Sequence, residues 1–285
     1  MKISGFTIVR NGVKYAYPFK EAILSIVPLC DELIVNVGTS EDGTLDVVKS
    51  IKDGRIRILH KEWDDSLRVG GKLLSGETNL ALKECSGDWC FYIQADEVLH
   101  EKYIPIVREA MEKYWNVKTI EGLRFLYKHF YGSYDYFQDN YRRWYVREVR
   151  VVKNRRGIVS WGDAMDFKHT DGSPVRARNI RAEIYHYGWV RPPDVLKMKR
   201  IDFHKLYYGD AEVERYSATV RNYDDLGNLM KFTGTHPSVM LDRIALSKWD
   251  FDPRLKDQPP DWLRKICIFL NPVTKRMEKF FGKSP

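Results

Sequence analysis

Two adjacent acidic residues, Asp96 and Glu97, follow directly on the apolar run Trp89–Ile93. Carboxylates at the end of a buried strand are costly unless they meet solvent or a cation. Their hard oxygen atoms are the ligands that Mg²⁺ and Mn²⁺ prefer. The pair therefore indicates a divalent-metal site, and helix capping by Asp96 is the alternative interpretation.

Polar residues also follow three other apolar runs, at Arg10-Asn11, Asn36–Thr39 and His60–Trp63. In an open α/β sheet, ligands bind beyond the carboxyl ends of the strands, where the strand order reverses. Because the hydrophobic core needs none of these polar groups, we expect them to converge with residues 94–97 on one ligand site.

The elements that would position these residues alternate along the first hundred positions. Short apolar runs predict strands at Ile3–Val9, Leu33–Val37, Arg55–Leu59 and Trp89–Ile93. Amphipathic segments between them predict helices at Tyr15–Val27, Thr44–Ile51 and Thr78–Lys83, the second with Asp42 or Thr44 as its N-cap. This alternation predicts an α/β fold with a doubly wound, mainly parallel sheet.

The pattern changes after residue 100. A helix near Tyr103–Tyr114 precedes β-like segments at Gly122–Tyr127, Val146–Val152 and Glu183–Tyr187. Beyond Pro192-Pro193 the spacing of apolar residues becomes helical, at Val195–Tyr207, Glu212–Arg221 and Val239–Leu246. We therefore predict a sheet domain over residues 1–192 and a helical C-terminal extension with a basic tail over residues 193–285.

The net charge of +8 in 285 residues is concentrated in two places. Residues 142–156 have a net charge of +6 and residues 254–285 one of +5, so the remaining chain is slightly acidic. Such clusters either solvate exposed faces or attract phosphates, in a nucleotide, an anionic lipid surface or a nucleic acid. With 44% hydrophobic residues, the composition excludes a disordered chain.

Cysteine usage and the N-terminal residues predict a cytoplasmic protein. The four cysteines, Cys30, Cys85, Cys90 and Cys267, match no metal or redox spacing, so we expect buried thiols in a reducing compartment. The N-terminus runs straight into a strand pattern, without the apolar region of a signal peptide. No apolar run approaches the roughly 20 residues that span a bilayer.

Several motifs in this order resemble a family 2 glycosyltransferase of the GT-A fold. They are Ile8–Asn11, Asp31–Val35, Gly38–Thr44 and Gly87-Asp88-Trp89 leading into Gln94–Glu97, with weaker matches at Arg147–Val152, Gly157–Asp163 and Ile184–Gly188. The sequence is similar to small bacterial sugar transferases that build cell-surface polysaccharide or lipopolysaccharide. The resemblance implies a GT-A-like, Rossmann-like catalytic domain, a nucleotide-diphospho-sugar donor (UDP- or GDP-sugar), a glycan or lipid-linked acceptor, and inversion at the anomeric carbon.

The resemblance also implies metal and donor sites. The D-x-D motif of the family falls on Gln94-Ala95-Asp96, so Asp96 is expected to hold Mg²⁺ or Mn²⁺, while Gln94 replaces the first acid. His186 matches a histidine that closes over the diphosphate, as a metal ligand or as a hydrogen-bond donor. Asn36 stands where relatives have an acid that meets the nucleobase. The expected donor-binding residues are Val9, Arg10, Asn11, Asn36, Gly38, Asn79, Gln94 and Arg191, with Lys197 and Lys199 as further phosphate contacts.

A catalytic base is expected on the acceptor side. By resemblance its position falls on Asp163 in Trp161-Gly162-Asp163, with Asp166 as the alternative. A carboxylate there would remove the proton of the acceptor hydroxyl as its oxygen attacks the anomeric carbon.

Two other functions compete with this interpretation. A nucleotidyltransferase or sugar-nucleotide pyrophosphorylase would have a Gly-rich basic loop after the first strand, where only Arg10 and Gly12 occur. A non-enzymatic nucleic-acid-binding protein would use the cluster at residues 142–156, but no RNP, KH or zinc-finger pattern accompanies it, so we predict no nucleic-acid partner. The amphipathic segment Trp262–Leu270 and its basic tail predict a peripheral contact with the inner face of a membrane, or else a helix packed on the domain.

Overall fold

Strands and helices alternate through the first half of the computed structural model, which describes residues 1–67, 69–138, 144–154, 157–220, 223 and 229–252. The strands are β1 Ile3–Val9, β2 Glu32–Gly38, β3 Ile56–Lys61, β4 Trp89–Tyr92, β5 Glu97–Leu99, β6 Gly122–Tyr131, β7 Ser133–Gln138, β8 Arg147–Lys153, β9 Ile158–Trp161, β10 Asp166–His169, β11 Ala177–Trp189 and β12 Leu229–Lys231. The helices are α1 Phe19–Ile26, α2 Thr44–Ser50, α3 Lys72–Lys83, α4 Ile104–Tyr114, α5 Pro193–His204, α6 Asp210–Thr219 and α7 Leu241–Ala245.

Ten of the described strands form one sheet, in the order β12-β7-β6-β8-β4-β1-β2-β3, with β11 beside β6 and β5 paired to β11. The strands β3, β2, β1 and β4 are all parallel, as are β6 and β11. β8 joins the two halves by pairing antiparallel with β4 and with β6. The predicted GT-A-like, doubly wound sheet is confirmed, and antiparallel strands extend it on the β4 side.

The strand order reverses next to β1. The chain moves from β1 to β2 and β3 on one side, then returns to place β4 on the other side of β1. The carboxyl ends of β1 and β4 therefore border the crevice in which open α/β sheets bind their ligands. Arg10-Asn11 and Gln94–Asp96, which follow these two strands, come to lie at that crevice.

Side-chain alternation along β1 builds a core on both faces of the sheet. Ile3 and Val9 belong to one apolar cluster, which includes Ile23 of α1, while Phe6 belongs to a second one, which includes Leu73 of α3. Because successive side chains point to opposite faces, a strand covered on both sides reads as a continuous apolar run. All seven residues of β1 are buried, which explains why its predicted bounds are confirmed.

Two helices of the first hundred residues begin four or more residues away from the predicted positions, whereas α4, α5, α6 and α7 begin within two residues of theirs. α1 starts at Phe19 rather than at Tyr15, because Ala16 has a φ of 50° and Pro18 disfavours a helical conformation at the residue before it. α3 starts at Lys72 rather than at Thr78, directly after Gly71, whose φ of 71° is left-handed. The helix α2 begins at Thr44 as predicted, and the Asp42 carboxylate accepts a hydrogen bond from the Thr44 amide over 3.1 Å.

The described part of the chain after residue 192 contains the helices α5, α6 and α7, in line with the predicted helical extension, but it also contributes a strand. β12 pairs antiparallel with β7 at the edge of the main sheet. The domain boundary at residues 192/193 stays a prediction, and the segment Trp262–Leu270 with the basic tail lies outside the described residues. None of the helices in the described ranges is long and apolar enough to cross a bilayer. Cys30, Cys85 and Cys90 are buried free thiols, as predicted.

Candidate active site

A cleft of about 650 Å³ opens at the carboxyl ends of β1 and β4. Among the residues predicted for the site, its wall contains Val9, Arg10, Asn11, Gln94, Asp96, Asp163 and His186. Helix α5 contributes to the same wall with Leu196, Lys199, Arg200, Asp202, Phe203 and His204. The structure thus brings together residues from both strand ends, from the turn between β9 and β10, from β11 and from α5.

Asp96 is the buried anion of this cleft. Its Oδ2 accepts a hydrogen bond from Lys199 Nζ over 3.2 Å, and Lys199 also donates to the carbonyl oxygen of Gly188 over 3.0 Å. Burial alone would raise the pKa of Asp96, but Lys199, His186 and Arg191 lower this pKa to about 2. The carboxylate is therefore ionised at neutral pH, and it is held by positive charge.

Lys199 has an unusual environment for a lysine. Burial and the positive charge of Arg191 lower the pKa of Lys199 to about 7, against the opposing effect of Asp96. Its ammonium group also lies 4.7 Å from the centre of the Tyr17 ring. The pairing with Asp96 explains why a lysine is tolerated at this buried position.

His186 lies beside Asp96 on the adjoining strand β11. Its Nε2 is 3.8 Å from Asp96 Oδ2, and its Nδ1 is 3.0 Å from His129 Nδ1. Burial lowers the pKa of His186, which favours the neutral imidazole. A neutral imidazole nitrogen and a carboxylate oxygen are both good ligands for a divalent cation.

The residues present fit a divalent metal ion between Asp96 and His186. A Cβ atom at Gly188 would collide with His186 Nε2 and lie 2.8 Å from Asp96 Oδ2, so only glycine leaves this corner open. Within the described ranges, no group of three or more His, Cys, Asp or Glu residues forms a complete cage. Asp96 and His186 would therefore be the two residues of this corner that hold a divalent ion.

Glu97, the second member of the acidic pair, does not belong to this corner. Its two carboxylate oxygens accept hydrogen bonds from Arg150 Nε over 2.9 Å and Arg150 Nη2 over 2.8 Å. Glu97 also accepts hydrogen bonds from the Tyr127 hydroxyl and from the backbone N–H of Gln94. The side chains of both Glu97 and Arg150 are buried. Glu97 thus fixes the strand end that carries Asp96, which corrects the interpretation of both carboxylates as metal ligands.

Asp163 reaches the cleft from the turn between β9 and β10. Its Oδ2 accepts a hydrogen bond from the Tyr207 hydroxyl over 2.5 Å. The backbone of Asp163 packs so closely against Gly71 that a Cβ there would lie 2.9 Å from Asp163 Cα. The alternative base, Asp166, accepts a hydrogen bond from the Val149 amide over 3.2 Å and is not part of the cleft wall.

Five residues predicted to contact the donor lie outside the cleft wall: Asn36, Gly38, Asn79, Arg191 and Lys197. The Asn36 amide donates to the Glu77 carbonyl and carboxylate, and Gly38 packs against Trp63. Asn79 holds β9 by exchanging two hydrogen bonds with the backbone of Ser160. Arg191 is fully buried, donates from Nη1 to the Tyr15 carbonyl and borders a second, smaller cavity. Their donor-binding roles stay predictions.

Of the residues that α5 contributes to the cleft, Lys199 was predicted as a phosphate contact, and the others were missed. Leu196, Lys199 and Phe203 recur at helical spacing and all line it, so a lysine inside an apolar stripe was the available signal. Aromatic rings complete the wall, among them Trp63, which stacks on the Arg10 guanidinium at 5.0 Å. No local pattern connects these rings with the strand ends, because they come from separate loops and helices.

Comparisons with known proteins show the family to which this chain belongs. The sequence matches the family described as "Glycosyl transferase family 2" over residues 11–180, which is more than half of the chain. A curated relative, the lipopolysaccharide core biosynthesis glycosyltransferase LpsC of Rhizobium meliloti, is 26% identical over 159 residues, which are 55% of this chain and 53% of LpsC. The chain therefore spans about half the length of this relative.

Two solved structures have a lower sequence identity to this chain. S. aureus TarS 1-349 in complex with UDP-GlcNAc has 12% identity and a TM-score of 0.40, covering 76% of this chain and 71% of that one. Glucosyl-3-phosphoglycerate synthase from Mycobacterium tuberculosis, in complex with Mn²⁺, UDP and glucosyl-3-phosphoglycerate, has 17% identity and a TM-score of 0.38, covering 72% of this chain and 78% of that one. The family match over residues 11–180 begins two residues after the end of β1 and includes the end of β4. By this match, the chain belongs to glycosyl transferase family 2.

Proposed function

We propose that this chain transfers a sugar from a nucleotide-diphospho-sugar to an acceptor hydroxyl, with inversion at the anomeric carbon. The observation that carries this proposal is the corner formed by Asp96, His186 and Lys199 at the strand-order reversal, in a chain of this family. A carboxylate that pairs with a lysine and faces a histidine nitrogen at that position suits a donor whose leaving group is a diphosphate.

The donor is expected to lie along the ends of β1 and β4. Val9, Arg10, Asn11 and Gln94 line this part of the cleft, and the Arg10 guanidinium is held by Trp63 and by Asp65, 2.7 Å away. Whether the nucleotide is UDP or GDP depends on contacts with the base, for which Asn36 was predicted. Family membership and the position of the cleft support this proposed donor arrangement.

Asp96 and His186 would hold Mg²⁺ or Mn²⁺. When bound there, the ion supplies positive charge to the diphosphate leaving group. In its protonated form Lys199 adds positive charge at the same carboxylate, so the chain itself would contribute cationic stabilisation below a pH of about 7.

Asp163 would serve as the general base. The acceptor oxygen forms a bond to the anomeric carbon while its proton passes to the Asp163 carboxylate, and the bond from that carbon to the diphosphate oxygen breaks. Tyr207 holds the carboxylate in position through its hydrogen bond. Because the nucleophile attacks opposite the leaving group in a single displacement, the product has the inverted configuration.

The acceptor is proposed to be a glycan or a lipid-linked sugar in surface polysaccharide synthesis. Trp144, Trp189 and Tyr216 line the cleft and provide flat apolar faces on which a sugar ring can stack. Peripheral membrane contact through residues 261–285 stays a prediction that liposome flotation of the full and truncated chains would test.

The proposed function is tested by donor binding. The full chain is mixed with UDP-, GDP- and CDP-sugars with and without Mn²⁺, and its melting temperature and the release of nucleoside diphosphate are recorded. We expect one nucleotide class to raise the melting temperature, since a ligand bound only by the folded state stabilises it. Absence of stabilisation and of release with every donor would refute the proposal.

Substitution of Asp96 by asparagine is expected to abolish most of this activity. The asparagine side chain would lack the negative charge that holds the metal ion and Lys199, so we expect nucleotide release to fall by about 10²–10³-fold, the usual effect of removing one electrostatic contact in an active site. The matched control is Asp53→Asn, because Asp53 pairs with Arg55 at the start of β3. Release by Asp96→Asn at the rate of this control would contradict the role of Asp96.

Substitution of Gly188 by alanine is expected to block the metal corner, the space between Asp96 and His186 that is proposed to hold the ion. The added methyl group would project between His186 Nε2 and Asp96 Oδ2. We expect Mn²⁺ binding, measured by isothermal titration calorimetry with UDP present, to weaken by at least tenfold. Gly209→Ala is the control, since a Cβ at Gly209 meets no atom within 4 Å. Unchanged Mn²⁺ affinity in Gly188→Ala would show that this corner does not bind the ion.

A further inference from the structure

His129 and His186 form a buried pair of imidazole rings behind the metal corner. They are register partners on the parallel strands β6 and β11, so their side chains lie on the same face of the sheet. Their Nδ1 atoms are 3.0 Å apart, and both side chains are buried. The two rings thus share one hydrogen bond, in which one Nδ1 donates and the other accepts.

The direction of this hydrogen bond follows from the second nitrogen of His129. Its Nε2 lies 2.8 Å from the carbonyl oxygen of Tyr145, which can only accept, so Nε2 must carry a hydrogen. His129 is buried, and its ring nitrogens bond to an imidazole and a carbonyl oxygen rather than to a carboxylate, which favours a ring with a single N–H and makes its Nδ1 the acceptor. The hydrogen between the two rings therefore belongs to Nδ1 of His186.

This assignment leaves a lone pair on Nε2 of His186, facing Asp96. The distance of 3.8 Å from Nε2 to Asp96 Oδ2 is too long for a hydrogen bond, as expected for two acceptors that face each other. The opposite tautomer would point an N–H at the carboxylate and leave no lone pair for a metal ion. The two hydrogen bonds thus run in one direction. His186 Nδ1 donates to His129 Nδ1, and His129 Nε2 donates to the Tyr145 carbonyl oxygen.

We propose that His129 is a positioning residue, which fixes His186 in the tautomer that presents Nε2 to a divalent cation. This inference rests on the proposed pairing of Asp96 and His186 around the ion. Partners behind a metal-binding histidine fix its tautomer and ring orientation, and their loss typically costs about 10–100-fold in metal affinity. His129 contributes to the affinity for the ion without contacting it.

The affinity test compares two substitutions of His129 in the full chain. His129→Phe retains a flat ring against Tyr127 and Tyr145, which lie 5.4 and 4.5 Å away between ring centres, but removes the acceptor. His129→Asn retains an acceptor oxygen near the position of Nδ1. We expect the dissociation constant of Mn²⁺ with UDP, measured by calorimetry, to rise about 10–100-fold in the Phe variant and to recover largely in the Asn variant.

His236→Phe is the matched control, because it makes the same change at a histidine bonded to Tyr187 and Tyr134 outside the cleft. We expect this variant to bind Mn²⁺ with the affinity of the unmodified chain. Wild-type affinity in His129→Phe would overturn the positioning role, as would an equal loss in the Phe, Asn and His236 variants.

A second measurement needs no variant that might fail to fold. Long-range ¹H–¹⁵N correlation spectra of the unmodified chain report which ring nitrogen of His186 carries the hydrogen. We expect protonated Nδ1 and unprotonated Nε2 in the metal-free protein, and the opposite assignment would overturn the inference. If the tautomer is as expected but the unmodified chain does not bind Mn²⁺, the metal ligation of the proposed function fails instead.

Discussion

A chain carrying Asp163→Asn is expected to transfer sugar about 10²–10⁴-fold more slowly while binding its donor unchanged. Asparagine cannot take up the proton of the acceptor hydroxyl, and the loss of a positioned general base has an effect of this size. The amide oxygen of asparagine can still accept the hydrogen bond from Tyr207, so the local structure should persist. The substitution therefore removes the proposed base while the fold is expected to be retained.

The measurement compares two quantities in the same preparation. Nucleoside diphosphate release is followed with a panel of p-nitrophenyl glycosides as acceptors, and the dissociation constant of the donor is obtained by calorimetry. Asp171→Asn serves as the control, because Asp171 is an exposed residue that caps a turn through Ser173. Loss of transfer in Asp166→Asn, with retention in Asp163→Asn, would move the base to Asp166.

A chain carrying Arg150→Met is expected to lose about 3–5 kcal/mol of unfolding free energy, the usual cost of removing one partner of a buried ion pair. Arg150 donates two hydrogen bonds to Glu97 and two more to the carbonyls of Val149 and Met165. Without the arginine, the Glu97 carboxylate would remain buried next to the Tyr127 hydroxyl and the Gln94 amide alone. The free-energy cost of keeping the Glu97 carboxylate away from water would then be poorly offset.

Urea unfolding of three variants would test this expectation. Arg57→Met is the control, because Arg57 forms an equally short ion pair with Glu84 (2.7 Å) in which both side chains are nearly half exposed. Such exposed pairs contribute about 0–1 kcal/mol. The double substitution of Arg150 and Glu97 by methionine should recover much of the lost stability, since it leaves no buried charge. An equal, small loss in Arg150→Met and Arg57→Met would contradict this account.

The ion pair between Arg150 and Glu97 also affects the candidate site, because Glu97 lies just after β4. Glu97 directly follows Asp96, and it accepts the amide hydrogen of Gln94, so the Arg150 pair anchors the segment that presents Asp96 to the cleft. The basic cluster at residues 142–156 thus contains at least one arginine that is buried and forms an ion pair inside the protein. The cluster of charge in the sequence did not indicate that this arginine is buried.

Local patterns in the sequence sufficed for the elements around the crevice. β1 is buried on both faces and reads as an uninterrupted apolar run, so its bounds and the position of Arg10-Asn11 could be predicted. Asp96 at the end of β4 could be placed by the same reasoning, because strand order and strand polarity determine which ends meet. His186 was found by resemblance to the family rather than by any local pattern.

Only the tertiary structure decided what each of these polar residues contacts. Lys199 meets Asp96 across 103 positions of sequence, and Arg150 meets Glu97 across 53. Asn79 was predicted to bind the donor, but its amide is bonded to the backbone of β9. Helical or strand periodicity records which face of an element is buried, but not which distant element covers it. The sequence by itself determined where the crevice lies, whereas packing between remote segments decided which of its charges face a ligand and which are neutralised inside the protein.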